Sequence, residues 1–178
     1  MRPWKTLART VILDHSKWLR VEDHTIQLPD GTVLEKWCWL VSPDYVNVVV
    51  QNDDGDFLCF RQTKYAAEGV TLAPVGGYLD PGEDPLACAK RELREEMGCE
   101  AREWIALGRF PCDGNHGNGT ANLFLAKGAH TVGEVIADDL EEQVPVTLSR
   151  TEMMNALLAG EFKVLSWSTA VAMALYHT

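Results

Sequence analysis

The segment Asp84–Gly98 constrains this chain most tightly, because both of its ends and one of its faces are written into the sequence. Asp84 can accept hydrogen bonds from the open N–H groups of a first helical turn, and Pro85 suits the first helical position. Leu86, Ala89, Leu93 and Met97 recur at spacings of three and four and make one apolar stripe. Gly98 follows as the residue that ends a helix in the left-handed conformation. The pattern predicts a helix over 85–97. Glu92, Glu95 and Glu96 share another face of it. Like charges at that spacing repel, costing roughly 0.2–0.5 kcal/mol per pair, and they sit in the last turns, where the helix dipole disfavours carboxylates. Arg91, four residues before Glu95, offsets part of this in the weaker orientation. Two readings stay open from spacing alone: a solvated acidic face, or oxygen ligands for a hard cation such as Mg²⁺, which is usually shared between one or two carboxylates, water and substrate phosphates.

The rest of the chain reads as strands in hairpins and two further helices. Trp18–Leu28 and Thr32–Val41 flank Pro29-Asp30-Gly31, a turn tripeptide, and predict an N-terminal hairpin carrying Trp18, Trp37 and Trp39. A two-stranded hairpin is marginal alone, so it is expected to pack on the main body or on another subunit. Tyr45–Gln51 is a buried β-branched strand, returned by Phe57–Arg61 across Asn52-Asp53-Asp54-Gly55. Those aspartates lack the ligand spacing of a calcium loop and read as a turn. Leu72–Leu79 is strand-like at its start. Strands are expected near Glu103–Arg109 and Ala121–Lys127, with an edge strand at Val144–Leu148, where Pro145 lacks a ladder donor. Ser149-Arg150-Thr151-Glu152 is a capping box opening a helix to about Ala159, and an apolar helix follows from about Ser166 to Tyr176. The expected class is a mixed-sheet α/β or α+β domain.

The formal charge is −10, from 16 Lys+Arg against 26 Asp+Glu. This excludes a general nucleic-acid binder or a protein docking on anionic lipid, both of which need a basic face. It also means that a phosphorylated substrate would need positive charge from elsewhere. The five cysteines, Cys38, Cys59, Cys88, Cys99 and Cys112, are odd in number and show no CxxC pair. They are expected to be free, buried small hydrophobes in a reducing cytoplasm. Met1–Val11 lacks the apolar stretch of a signal peptide, and no run of 18 apolar residues occurs.

Around the acidic helix the sequence reads Gly77-x5-Glu83-x7-Arg91-Glu92-Leu93-Arg94-Glu95-Glu96-Met97-Gly98-Cys99. This resembles the signature box of the Nudix hydrolases: all seven fixed residues stand at the right spacing, a coincidence on the order of once in 10⁸ positions. Cys99 takes a place where a bulky aliphatic residue is usual. The resemblance implies an α/β/α sandwich on a mixed sheet over residues 43–178. Residues 1–42 would be an N-terminal antiparallel hairpin extension used in dimerisation. It implies Mg²⁺, or Mn²⁺, two or three ions, hydrolysing a nucleoside diphosphate linked to another moiety. Glu92 and Glu96 would be the main metal ligands, with Glu95 and the Gly76 carbonyl beside them. Arg91 would orient carboxylates, Glu83 would be architectural, and Gly77 and Gly98 would serve backbone conformation.

Three outer features resemble the ADP-ribose/ADP-sugar pyrophosphatase branch. The hairpin is similar to one whose exchange between subunits lets aromatics sandwich the base, which makes Trp18 and Trp37 candidates. Arg61-Gln62-Thr63-Lys64 is similar to a basic run, so Arg61 and Lys64 are candidates for the pyrophosphate or ribose phosphate. Asp138-Asp139-Leu140-Glu141-Glu142 stands where a catalytic Glu is found; Glu142 is the first candidate for general base, Glu141 the second, and Glu95 a further one. The stretch Asp113–Gly119 reads as a flexible lid or substrate loop, with His116 able to meet a phosphate. The expected reaction is cleavage of ADP-ribose or an ADP-sugar to AMP and a sugar phosphate by a homodimer. The alternatives are a nucleotide-sugar-binding module without catalysis, and a hydrolase for a dinucleoside polyphosphate, a coenzyme A derivative, NADH or an oxidised nucleotide.

Overall fold

A computed structural model describes residues 1–136 and 142–178. The chain divides into two compact units, one of residues 1–44 and 110–120, the other of residues 45–109 and 121–178.

In the first unit β1 (Lys5–Asp14), β2 (Arg20–Gln27) and β3 (Val33–Val41) form an antiparallel meander. The hairpin between β2 and β3 turns where the tripeptide places it: Gly31 adopts φ 93°, and Asp30 Oδ1 accepts from Thr32 N at 2.9 Å. The expected hairpin accounts for β2 and β3 only; β1 is a third strand that the sequence pattern does not predict. The register opposes Ile26 to Leu34 and His24 to Trp37. Leu34 and Trp37 are three residues apart and would lie on opposite faces of a regular strand. A bulge restores the parity, with Lys36 in the left-handed region at φ 57°.

The second unit is built on β4 (Tyr45–Asn52), β5 (Phe57–Lys64) and β6 (Ala67–Ala73). It continues with α1 (Pro85–Met97) and the short β7 (Cys99–Glu100), then β8 (Glu103–Asp113) and β9 (Gly117–Thr131), both of which extend into the first unit. β10 (Val144–Leu148), α2 (Arg150–Leu158) and α3 (Leu165–Ala174) complete it. β4 lies between β9, its parallel neighbour, and β5, its antiparallel one; β10 closes the edge beyond β5, and β6 also pairs with β5. The sheet is mixed, as expected, and Pro145 falls on its edge strand.

Alternation along the strands feeds two cores. Val46, Val48 and Val50 of β4 pack with Phe60, Val75 and Phe124 against Cys88, Ala89 and Leu93 of α1. The opposite face, with Val49, Phe57, Cys59, Leu123 and Leu125, packs against Met153 and Ala156 of α2 and Trp167, Ala170 and Val171 of α3. This is the expected α/β/α sandwich. Cys59, Cys88 and Cys99 are buried as expected, but Cys38 and Cys112 are exposed; both lie on strands of the small first unit, which has little interior to offer. Among the described residues no helix is long and apolar enough to cross a membrane.

Candidate active site

α1 begins and ends as its sequence dictates: the Asp84 side chain accepts from Ala87 N, and Gly98 takes φ 61° while its N–H bonds back to Arg94 and Leu93 carbonyls. Its acidic face is organised by Arg91. The guanidinium grips Glu83 with two bonds of 3.1 Å, from Nε to Oε1 and from Nη2 to Oε2. Its Nη1 donates to Glu92 Oε1 at 2.8 Å and to Glu95 Oε2 at 2.9 Å. Glu83 is thereby held down to about 2, mainly by the hydrogen bonds from Arg91, and Arg91 is pushed above its ordinary value, mainly by Glu83. Glu83 Oε2 also accepts from Asp80 N at 3.0 Å, which ties the loop before α1 to the same arginine.

Glu96 points to a different set of partners. Its Oε2 accepts from Gly76 N at 3.1 Å, and its Oε1 from Gln143 Nε2 at 3.4 Å. The glycine pair beneath the helix is there for space. A Cβ on Gly77 would lie 2.0 Å from Glu92 Oε1, and one on Gly76 would lie 2.5 Å from the Val46 carbonyl. Neither glycine has positive φ. The expected conformational role therefore holds for Gly98 but not for Gly77, whose missing side chain is what seats the Glu92 carboxylate. Val48 N and Val46 N take the carbonyls of Val75 and Gly77. By the alternation of an extended strand, the Gly76 carbonyl between them is turned away from β4.

The three carboxylates share a face but do not converge on one point, because Arg91 holds Glu92 and Glu95 while Glu96 turns to Gly76 and Gln143. Among the described residues no three His, Cys, Asp or Glu side chains form a closed cage for a cation. The donor set is nevertheless all oxygen, with a carboxylate cradled over a glycine, and this suits a hard cation that keeps water and meets substrate phosphates.

The outlying candidates scatter. Arg61 continues the alternation of Phe57 and Cys59, so it lies on the α2–α3 face of the sheet. There it pairs with Glu161 at 3.3 Å rather than joining the acidic cluster. Lys64 ends the same strand. Glu142 is exposed, next to Gln143, and Glu141 lies outside the described residues. In the first unit Trp37 walls a cavity of about 410 Å³ with Trp4, His24, Ile26, Trp39 and Asn115. Trp18 does not line it. Its neighbour Arg20 opposes Val41, four residues along β2 from the His24–Trp37 pair, or about 13 Å, and Lys17 Nζ sits 4.4 Å over its ring. The Asp113–Gly119 stretch is a pinned turn rather than a lid. Asp113 Oδ1 accepts from Asn115 N and His116 N at 2.7 and 2.9 Å, and the His116 ring stacks on Trp37 at 5.5 Å.

A family model for the NUDIX domain matches residues 41–166, the span that holds α1, its glycine pair and Gln143. The chain belongs to the Nudix hydrolase family. A second model, for the nucleoside diphosphate sugar hydrolase N-terminal domain, matches residues 4–37. The ADP-ribose pyrophosphatase of Bacillus subtilis (strain 168) is 28% identical over 148 residues, covering 81% of this chain and 78% of that protein. The methanol dehydrogenase activator of Bacillus methanolicus is 30% identical over 112 residues, covering 62% and 58%. The CMP-5'-(N-acetyl-N-hydroxy-3-aminopropyl)phosphonate hydrolase of Streptomyces rubellomurinus (strain ATCC 31215) is 27% identical over 130 residues, covering 73% and 62%. The crystal structure of an ADP compounds hydrolase superposes with TM-score 0.81 over 99% of this chain and 95% of that one, at 20% identity, a likeness of fold.

Nudix hydrolases generally use divalent metals, and the oxygen donors around α1 fit such an ion. The candidates Gly76, Gly77, Glu83, Arg91, Glu92, Glu95, Glu96 and Gly98 share one helix and its flanking loop, as their spacing in the sequence requires. The sequence does not announce Gln143, whose contact with Glu96 spans 47 residues, nor, separately in the first unit, the cavity lining by Trp4, His24 and Trp39. Strand alternation could have placed Trp39 with Trp37; nothing in the sequence announces the Lys36 bulge that sets His24 opposite Trp37.

Proposed function

We propose that this Nudix hydrolase cleaves the pyrophosphate bond of ADP-ribose or an ADP-sugar, releasing AMP and a sugar phosphate. The observation that carries the reading is the Glu92 carboxylate seated over Gly77 and joined through Arg91 to Glu95 and Glu83. Glu92 and Glu96, with Glu95 and the Gly76 carbonyl beside them, would hold Mg²⁺ or Mn²⁺, two or three ions in this reading. When bound, the metal supplies charge to the diphosphate oxygens and acidifies water. Arg91 keeps the Glu92 and Glu95 carboxylates from drifting apart under their mutual repulsion. Glu142 is the general base in this reading, supported by its neighbour Gln143, whose Nε2 donates to Glu96 Oε1 at 3.4 Å. Glu142 accepts the proton of a water that bonds to one phosphorus as the bond from that same phosphorus to the bridging oxygen breaks, and the bridging oxygen leaves with the other phosphate.

The relatives named for ADP-ribose and ADP compounds support an adenine nucleotide as substrate. The base is assigned to Trp37. Trp18 and Trp37 do not wall one cavity within a chain, so a sandwich between them needs two copies. This agrees with residues 1–42 acting as a dimerisation extension to a hydrolase domain of residues 43–178. An odd count of five cysteines without a CxxC pair supports a reducing compartment, the cytoplasm.

The test is steady-state hydrolysis of ADP-ribose with Mg²⁺, scoring AMP. Glu92→Gln and Glu96→Gln should each lower kcat on the order of 10³-fold while the far-ultraviolet spectrum stays unchanged. Near-wild-type turnover in both would remove the metal assignment. Tight calorimetric binding of ADP-ribose with no Mg²⁺-dependent product would make the protein a sensor instead.

A further inference from the structure

His24, which lines the cavity in the first unit, is paired with Glu22 beside it, and stability alone does not require such a pair of ionisable groups. Glu22 and His24, neighbours on one face of β2, are 6% and 4% exposed. Glu22 Oε2 meets His24 Nε2 at 2.9 Å, and its other oxygen takes Arg20 Nε at 2.9 Å. A carboxylate and an imidazole buried in a strand cost desolvation that an apolar pair would avoid. His24 lies flat on Trp39, with ring planes 16° apart and centroids at 5.2 Å, and both rings line the cavity with Trp37 and Trp4.

The chemistry of the pair fixes a tautomer. An ionised carboxylate only accepts, so Nε2 carries the hydrogen, and in the neutral ring Nδ1 is then a bare acceptor. The bond from His24 is the largest reason that Glu22 stays below the usual carboxylate range. Indole N–H groups only donate, and that of Trp37 is already spent on the Asn115 carbonyl at 2.8 Å. The cavity thus offers aromatic faces for a flat ring and a buried acceptor, His24 Nδ1, for a hydrogen on that ring's edge.

We propose that His24 Nδ1, with its tautomer set by Glu22, is the atom by which this cavity selects its ring: it favours one bearing an exocyclic amino group over the same ring without it. This rests on the assignment of the base to Trp37 and deepens it, since stacking alone accepts any base. His24 and Trp39 give the site a polar edge as well as a platform. The cavity volume lies within the range of small-molecule sites.

The test uses the full chain, AMP, and purine riboside 5′-monophosphate, which differs from AMP only in lacking the 6-amino group. By titration calorimetry at pH 8, AMP should bind about tenfold more tightly than the deamino analogue. In His24→Phe, which keeps a flat ring and removes the acceptor, the ratio should fall to about one. A second measurement needs no variant. In wild-type protein labelled with ¹⁵N-histidine, the His24 Nδ1 resonance should move with AMP and stay with the analogue. Equal affinities in the wild type, a preference that survives in His24→Phe, or no binding of either nucleotide would overturn the inference. Hydrolysis of ADP-ribose is scored separately. Turnover without base preference removes this inference and leaves the function intact; base preference without turnover does the reverse.

Discussion

At Gly76 and Gly77 two adjacent residues of one type answer to different physics, and substitution should separate them. The nearest atoms to a Cβ on Gly77 are the end of the Glu92 side chain, which can swing away, whereas a Cβ on Gly76 meets the backbone of β4 at Val46 and the Asn47 side chain. Gly77→Ala should therefore leave the melting temperature nearly unchanged but displace the carboxylate, weakening Mn²⁺ binding about tenfold or more by calorimetry. Gly76→Ala should cost about 1–3 kcal/mol in denaturant unfolding, the usual penalty for forcing atoms into packed structure. Equal losses of stability in both would contradict the cradle. Glu83 makes a second residue-scale prediction. Its carboxyl is lowered from 4.5 to about 2 by Arg91, so the unfolded chain binds its proton first. The pair's contribution is present above about pH 4.5 and is lost as pH falls through about 2, on the order of 3 kcal/mol in all. Glu83→Gln should be less stable than wild type at pH 6, and the difference should vanish at the acid end of a pH series of urea melts; a gap constant with pH would contradict it. The box was legible at this scale because every partner of Arg91 lies within about two helical turns or the preceding loop. Gln143, His24 and Trp39 were not, because their partners come from distant strands and no local rule links them.

Elements were legible in proportion to their end signals. α1 and α2 stand where their caps put them, and Ser149 and Glu152 satisfy each other's backbone N–H groups as a complete capping box. Ser149→Ala should cost about 1 kcal/mol in equilibrium unfolding and leave turnover intact, since α2 packs on the sheet face away from α1; a null effect on stability would mean that the apolar face alone holds α2. β1 was invisible for the opposite reason. All ten of its residues are exposed, so no alternation of burial was there to leave a trace in the sequence. β6 was read only from Leu72, because its first half is exposed and Gly69, at φ 67°, interrupts the run. The Asp113–Gly119 turn shows the limit of composition: glycine and asparagine suggest freedom, but Asp113 ties the turn's amides and Trp37 covers it.

Across the whole molecule the charge is unevenly placed, and this bears on association. Residues 1–42 carry six basic and five acidic side chains, a net of +1, while residues 43–178 carry ten and twenty-one, a net of −11. Two copies meeting through the acidic part would repel, whereas the nearly neutral N-terminal extension can be brought together without that cost. Its outer strand is also the least finished surface. β1 bonds to β2 along one edge, and Leu7, Val11, Ile12 and Leu13 each leave about half their surface exposed. Edge strands of monomers are normally blunted, and a contiguous apolar patch marks a contact. Light scattering should then give twice the 19.8 kDa chain mass at micromolar concentration. Because this surface is apolar and nearly neutral, the dimer should persist in 0.5 M NaCl, where an interface held by charge would weaken. Leu7→Glu with Val11→Glu adds two charges to each copy of the strand and should return the single-chain mass while the spectrum of the fold is retained. A monomeric wild type would contradict the assignment of residues 1–42 to dimerisation, and a dimer that survives the double variant would move the interface off β1.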